Sequence, residues 1–333
     1  KEARERVAER NLNAPPNIRH GVGIAAFFFC CGNTAKSNPS TIRIGVLPDG
    51  TVALHQGAVD AGQGSNTVIP QIAADAIGIA LGELKIVGPN TNLTPDAGRT
   101  SASRQTFVSG QAALLSGKAL REKILGLLGT GQSATLHFGG GKITAVDGNR
   151  ECHLDVHSLP LNSHGYVLMA EETFDPITTG LDASGRGSPY AVYAFGAQMS
   201  EVWVDCESGD VRVVRVVAAH DVGRAVNPTL LEGQIEGAVA QGVGMALMEK
   251  FVAGVSNNLH DYLIPTVFDM PKVKCIFIEE PTSAGPYGAK GIGEPALVPT
   301  AASIFNAIYD AIGVRITSAP ATPEVVSRAI RNC

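Results

Sequence analysis

Hydrophobic and polar positions along the chain follow two rhythms. After a charged, helix-like start, KEARERVAER, the runs GVGIAAFFF and TIRIGVLPDGTVALHQGAV have the composition of strands. Inside the second run the triplet PDG is a turn signal and predicts a hairpin. Thr67, Ile69, Ile72, Ala73, Ala76 and Ile77 then recur at helical spacing, Leu84 to Val87 reads as a short strand, and Gly110 to Leu128 is helical again. Residues 131–170 read as strands and turns. Ala191 to Ala219 predicts a long hairpin that turns at CESGD and returns along VRVVRVV. Leu231, Ile235, Ala238, Val239, Gly242, Met245 and Ala246 mark a further helix. Two late helices complete the pattern. One runs from about Val298 to Ile312 and is closed by Gly313, and the other begins at Thr322 as N-cap with Pro323 in its first turn. This mixed order predicts an α+β fold, mixed β-sheets with packed helices, in two interleaved subdomains of about residues 1–135 and 136–333.

Composition narrows the class. Hydrophobic residues make up 44% and charged residues 17% of the 333, a balance that suits much buried surface and excludes disorder. The net charge of −5 implies no attraction to nucleic acid. No run is long and apolar enough to span a bilayer, and the charge-rich N-terminus is unlike a signal peptide and suits a chain that has lost its initiator Met. The cysteines Cys30, Cys31, Cys152, Cys206, Cys275 and Cys333 form no CxxC pair, so neither an iron–sulfur cluster nor structural zinc is expected on this chain. Buried or free thiols in a reducing, cytoplasmic compartment are the simplest reading.

Several short motifs carry two readings. FGGGK at Phe138 to Lys142 looks like a phosphate loop but lacks Walker spacing and the Ser/Thr after Lys, and its strand-like flanks favour a hairpin turn. His153 and His157 have the i,i+4 spacing of a helical metal pair, yet ECHLDVHSLP has strand and loop character. No GxGxxG fingerprint follows a strand and no GxSxG elbow occurs. Phe27, Phe28 and Phe29 suit either core packing or a ring pocket. Three glycine-rich segments say more. AGQGSNT (Ala61 to Thr67) and GRTSASRQ (Gly98 to Gln105) each precede a helix, where backbone N–H groups can approach an anion or a polar ring, and Arg104 suits a phosphate. In the third, GAKGIGEP from Gly288, Glu294 stands between glycines and a helix start. It suits a helix-dipole acid or, enclosed away from water, a general base.

Taken in order, GQG, SRQ, DVGRAVNPTLLEGQIEGAVAQGVG and KGIGEP resemble the molybdopterin-binding subunit of the xanthine dehydrogenase and aldehyde oxidoreductase family, from about His20 onward. The resemblance implies that Gly62, Gln63 and Gly64 contact the pterin and its dithiolene end. It implies that Ser103, Arg104 and Gln105 lie beside the pterin in a loop of the form used with the cytosine dinucleotide, and that Gln234 lies near molybdenum and pterin. Lys290 and Gly293 belong to the cofactor segment that carries Glu294, which matches the family's catalytic glutamate.

The implied chemistry is base-assisted hydroxylation with oxygen from water. The metal acts as Lewis acid, held by the pterin dithiolene and bearing a terminal sulfido or selenido ligand. The family's upstream half, with its GGFGGK-type loop, has no counterpart here, and FGGGK lies at the wrong place to replace it. A split large subunit is therefore expected, paired with a second molybdopterin-binding subunit, an iron–sulfur ([2Fe-2S]) subunit and an FAD subunit. That arrangement resembles the medium subunit of nicotinate dehydrogenases, which implies nicotinate plus water to 6-hydroxynicotinate with NADP as final acceptor. A purine, an aldehyde or another N-heterocycle is the alternative substrate, and a non-catalytic structural subunit the alternative role.

Overall fold

The computed structural model describes Lys1 to Asn332; Cys333, one of the cysteines considered above, lies outside the described residues. Along the chain run α1 (Glu2–Asn13), β1 (Ile18–Cys31), β2 (Ser40–Val46), β3 (Val52–Gln56), α2 (Ser65–Ile77), β4 (Leu84–Val87) and α3 (Gly110–Leu128). There follow β5 (Thr135–Gly139), β6 (Lys142–Asp147), β7 (Arg150–Asp155), β8 (Leu168–Phe174), β9 (Val192–Asp205) and β10 (Val211–Asp221). The last elements are α4 (Pro228–Leu247), β11 (Lys272–Ile278), α5 (Thr300–Ile312) and α6 (Pro323–Arg331). The α+β class stands as expected. The division does not fall at residue 135, where a small sheet simply begins. One unit comprises residues 1–29, 194–279 and 292–333; the other comprises 30–193 and 280–291. The chain leaves each unit and returns to it, because strands distant in sequence share one sheet.

The first unit is built on the sheet β1-β9-β10-β11. β9 and β10 form the long antiparallel hairpin, with a bulge between Val213 and Arg215, and β11 adds parallel to β10. β11 was not foreseen, although KVKCIFI alternates polar and apolar residues with the period of two that a strand requires. α4 and α5 cover the sheet. Val202, Val204, Val216, Ile235, Val239, Ile304 and Ile308 are each at most 1% exposed and form the core between these layers. Each such aliphatic side chain contributes about 1.5–3 kcal/mol on burial. Asn227 caps α4 by accepting from Leu230 N at 3.1 Å, with Pro228 in the first turn. Thr322 sits at the start of α6 as expected, but its side chain makes no capping bond.

Glycines set how closely α5 lies. A Cβ on Gly21 would fall 2.1 Å from Ala307 O, and one on Gly23 would fall 2.2 Å from Ala307 N. β1 therefore presents bare backbone to α5. Gly242 of α4 does the same, since its Cβ would stand 2.3 Å from Thr300 Cβ.

The second unit holds the sheet β4-β3-β2-β8, with β2 and β3 joined through the expected PDG turn, and the sheet β5-β6-β7. α2 and α3 pack on the larger sheet over buried Ile42, Ile44, Leu54, Ile69, Ile72, Leu120 and Ile124. FGGGK is the β5–β6 hairpin: Gly139 pairs with Lys142, and Gly140 and Gly141 both take positive φ, as a type I′ turn requires. His153 lies in β7 and His157 in the following turn, so the pair shares no helix face.

The close approach at β1 is testable. Gly23→Ala should lower stability by about 3 kcal/mol, because backbone rather than a flexible side chain meets the new methyl. Gly82→Ala, whose Cβ meets nothing within 4 Å, should stay within about 0.5 kcal/mol. Urea unfolding midpoints of the two variants check this; equal midpoints would refute the packing argument.

Candidate active site

The second unit carries the GQG and SRQ loops and Lys290. Gly62 (φ 109°) and Gly64 (φ 84°) take backbone conformations that other residues rarely adopt, and Gly64 immediately precedes α2. Sequence reasoning missed the group that fixes this loop. The Asp60 carboxylate accepts from Gly62 N (2.8 Å), Gly64 N (3.2 Å) and Asn66 N (2.9 Å). Burial alone would raise the Asp60 carboxyl, but these N–H groups outweigh it and hold it below its ordinary range. An Asp two residues ahead of a glycine loop is the signal that identifies such a turn. Gln63 folds back on the same loop: its Oε1 accepts from Ala61 N at 2.7 Å and its Nε2 donates to Val59 O at 2.8 Å. Thr100 Oγ1 donates to the same Val59 carbonyl at 2.8 Å and so ties the segment before SRQ to the GQG loop.

The SRQ loop is strained and tightly bound. Ala102 (φ 53°) and Ser103 (φ 52°) are consecutive left-handed residues with side chains, a cost that persists only where surroundings impose it. A π-helical turn, Gln105–Ser109, follows before α3. Arg104 is 1% exposed, and its guanidinium is committed to backbone. It donates to Ala97 O, to Arg99 O at 3.1 Å, to Asn38 O at 3.0 Å and to Pro39 O at 2.7 Å. These carbonyls take the donors that the sequence offered to a phosphate, and burial pushes the guanidinium below its ordinary value. Gln105 Nε2 donates to Arg99 O at 2.9 Å. Both side chains shape the loop from within, and Ala102 O accepts from Gly32 N at 2.8 Å. Gly291, beside buried Lys290, meets that backbone: a Cβ there would stand 1.7 Å from Ser103 O.

The first unit carries Gln234, Gly293 and Glu294. Gln234 is half-buried on α4, while Gly293 and Glu294 are exposed in a run of turns that leads into α5. The turns are closed by Leu297 N donating to Glu294 O (3.1 Å) and Thr300 N to Leu297 O (3.1 Å), and Pro295 and Ala296 beneath are buried. The chain passes from the second unit to the first between Gly291 and Ile292, so the KGIGEP motif spans both. Phe27 is half-buried and packs 5.3 Å from His220, whereas Phe28 is 68% exposed beside Phe195.

A fit to a flat, polar group can be tested on the glycines. Gly62, exposed in the second unit, and Gly233 and Gly237, exposed on α4 in the first, have nothing within 4 Å of a Cβ. Mid-helix glycine costs roughly 1 kcal/mol relative to alanine, and no atom of the chain uses the space it leaves. Bare backbone of this kind suits close approach by a pterin ring. Among the described residues no group of three or more His, Cys, Asp or Glu is arranged to hold a metal ion.

Residues 1–271 match the molybdopterin cofactor-binding domain family. The chain belongs to that family. It is 32% identical to the putative xanthine dehydrogenase molybdenum-binding subunit of Escherichia coli K12, over 94% of this chain and 42% of that protein. It is 29% identical to the nicotine 6-hydroxylase large subunit of Paenarthrobacter nicotinovorans, over 93% of this chain and 40% of that one. The solved aldehyde oxidoreductase of Desulfovibrio desulfuricans matches 98% of this chain with 34% of its own, at a TM-score of 0.83 and 28% identity. The chain thus spans less than half the length of these relatives.

Buried His220 gives a pH signature. It is 0% exposed, and burial lowers its pKa from 6.5 to about 4. The unfolded chain therefore binds the extra proton between these values, so stability is full above 6.5 and falls as the pH drops through 6.5 towards 4. By proton linkage the loss is roughly 2 kcal/mol at about pH 5. His20 and His55 shift in the same direction, so the comparison must be with His220→Met. That variant should lose this part of the slope in urea titrations at about pH 7 and pH 5; an unchanged slope would show that His220 titrates normally.

Proposed function

We propose that this chain supplies one wall and the catalytic base of a molybdenum hydroxylase that adds water-derived oxygen to a nitrogen heteroaromatic. The substrate assigned is nicotinate, giving 6-hydroxynicotinate. The reaction consumes water and releases two protons and two electrons, of which NADP takes both electrons and one proton. The observation that carries the reading is Glu294, exposed at the turn before α5 within KGIGEP, its backbone held by the turn hydrogen bonds and buried Pro295 and Ala296. A carboxylate so placed can accept the proton of a nucleophilic water, a step that contributes about 10²–10⁴ in rate.

The cofactor assigned is molybdopterin cytosine dinucleotide with molybdenum bearing a sulfido or selenido ligand. When bound, it supplies the Lewis acid and the two-electron acceptor. Gly62, Gln63 and Gly64 would hold it through the loop that Asp60 fixes. Ser103 would do so through its backbone, with Arg104 and Gln105 as the loop's internal clamps. Gln234, Lys290 and Gly293 complete the assignment. The nicotine 6-hydroxylase relative supports a pyridine-type ring; the xanthine dehydrogenase relative favours a purine as the second reading.

The partners proposed are a second molybdopterin-binding subunit, an iron–sulfur subunit and an FAD subunit, in the cytoplasm. Exposed apolar residues support a large partner surface, among them Phe251 (72%), Leu259 (68%), Val267 (79%) and Phe268 (82%) in the stretch between α4 and β11. Among the described residues no helix is long and apolar enough to cross a membrane.

Glu294→Gln should reduce turnover of nicotinate at least about a hundredfold with molybdenum and pterin content unchanged. Turnover retained in the loaded variant would remove Glu294 from the chemistry. Assays of nicotinate, a purine and an aldehyde on the same preparation decide between the substrate readings.

A further inference from the structure

A buried polar network lies under the turn that carries Glu294. Gln198, on β9, is 1% exposed among apolar neighbours of the sheet. Its Nε2 donates to Ala296 O at 2.7 Å and to His220 Nε2 at 3.1 Å, and its Oε1 accepts from Thr300 Oγ1 at 2.7 Å. Ala296 O, only 2.7 Å from the amide, must face its nitrogen, which sets the amide's orientation; Thr300 Oγ1 also reaches Ala296 O at 3.3 Å. One side chain thereby holds both ends of the segment 296–300. Below it, Ser200 Oγ meets Ser303 Oγ at 2.6 Å, and Ser303 Oγ donates to Thr300 O at 2.8 Å, which extends the polar seam along α5.

We propose that Gln198 is a positioning residue for Glu294. It fixes the backbone of the turn from Ala296 to Thr300, two residues beyond the carboxylate, and His220 fixes Gln198. The catalytic part of this inference rests on the reading of Glu294 as the base. Its physical ground is the network itself. A buried amide in a sheet is expensive unless its polar atoms are satisfied, and an apolar residue of the same shape would serve packing equally well. Here all the polar groups of the amide are directed at the catalytic turn or at the group that orients them. A neutral imidazole is the right partner, because its Nε2 must accept. Burial holds His220 in that form above about pH 4. Reacting groups must be held to within about 0.5 Å, and an error near 1 Å costs up to about a hundredfold in rate.

The test uses the complete, cofactor-loaded enzyme with Gln198→Met, Thr300→Val and Glu294→Gln in parallel. Hydrogen–deuterium exchange of the peptide covering residues 293–300 is read together with kcat, KM and molybdenum content. For Gln198→Met the expectation is exchange at least about tenfold faster in that peptide, kcat lower by about ten- to a hundredfold, KM within about twofold and molybdenum unchanged. Thr300→Val, which removes one bond of the network, should shift exchange and kcat the same way by a smaller factor and serves if Gln198→Met does not fold. Wild-type exchange and kcat in the folded variants overturn the proposal. Fast exchange with wild-type kcat, while Glu294→Gln is inactive, overturns the positioning role and leaves the base in place. Fast exchange with an active Glu294→Gln removes the base reading, and the catalytic part of the inference falls with it.

Discussion

The contact of α5 with bare backbone organises the first unit. Gly21 and Gly23 of β1 and Gly242 of α4 leave no side chain between the helix and its two neighbours, so α5 can rest at only one depth. Ala307, Ile304 and Ile308 are each fully buried in consequence. The turn before α5 inherits that placement, because Thr300 is both the first residue of the helix and the residue that meets Gly242. A loop that leads into so constrained a helix begins from a fixed point. This is how an exposed acid can be held in place without being buried.

The second unit uses a different device. Its loops are shaped by charged groups turned inward: Asp60 gathers loop N–H groups and Arg104 gathers loop carbonyls. Each charge is spent on backbone that would otherwise be unpaired, which is the usual condition for burying it. The cost is that these side chains lose the direct ligand role their chemistry suggests. The open glycine at 62 leaves bare backbone exposed in the GQG loop, while the left-handed pair Ala102 and Ser103 is packed against Gly32 and Gly291. A ligand recognised this way is read by shape and by main-chain groups.

Much of the architecture was legible because the rhythms were clean. α2 and α3 showed the helical period and ended in glycines with left-handed φ, and the β9–β10 hairpin announced its turn with SGD. β11 escaped because its alternation KVKCIFI is short and follows an irregular stretch. The division of units escaped because strand pairing across distant segments leaves no local mark. The site was legible as motifs but not as contacts: Gly62 to Gly64, Ser103 to Gln105 and Glu294 could be named, yet nothing local tells that Arg104 faces inward. Residues outside the motifs also shape these loops: Asp60 gathers three loop N–H groups, a local contact, whereas the bond of Thr100 to Val59 O is one that only the fold brings about.

Departures from local rules gather where this chain would do its work. Glycines stand in α4 at 233 and 237, β9 carries a buried amide at Gln198, and a fully buried histidine lies near the end of the return strand. Each is unfavourable by the propensities of its element, and packing alone would have replaced each with alanine or valine. Packing does explain Gly21 and Gly23, whose absent side chains make room for α5. It does not explain the open glycines or the buried amide, so these call for a cause outside the core. On the proposed function, the glycines at 62, 233 and 237 leave backbone open to a close-fitting ligand, and Gln198 holds the turn that follows Glu294.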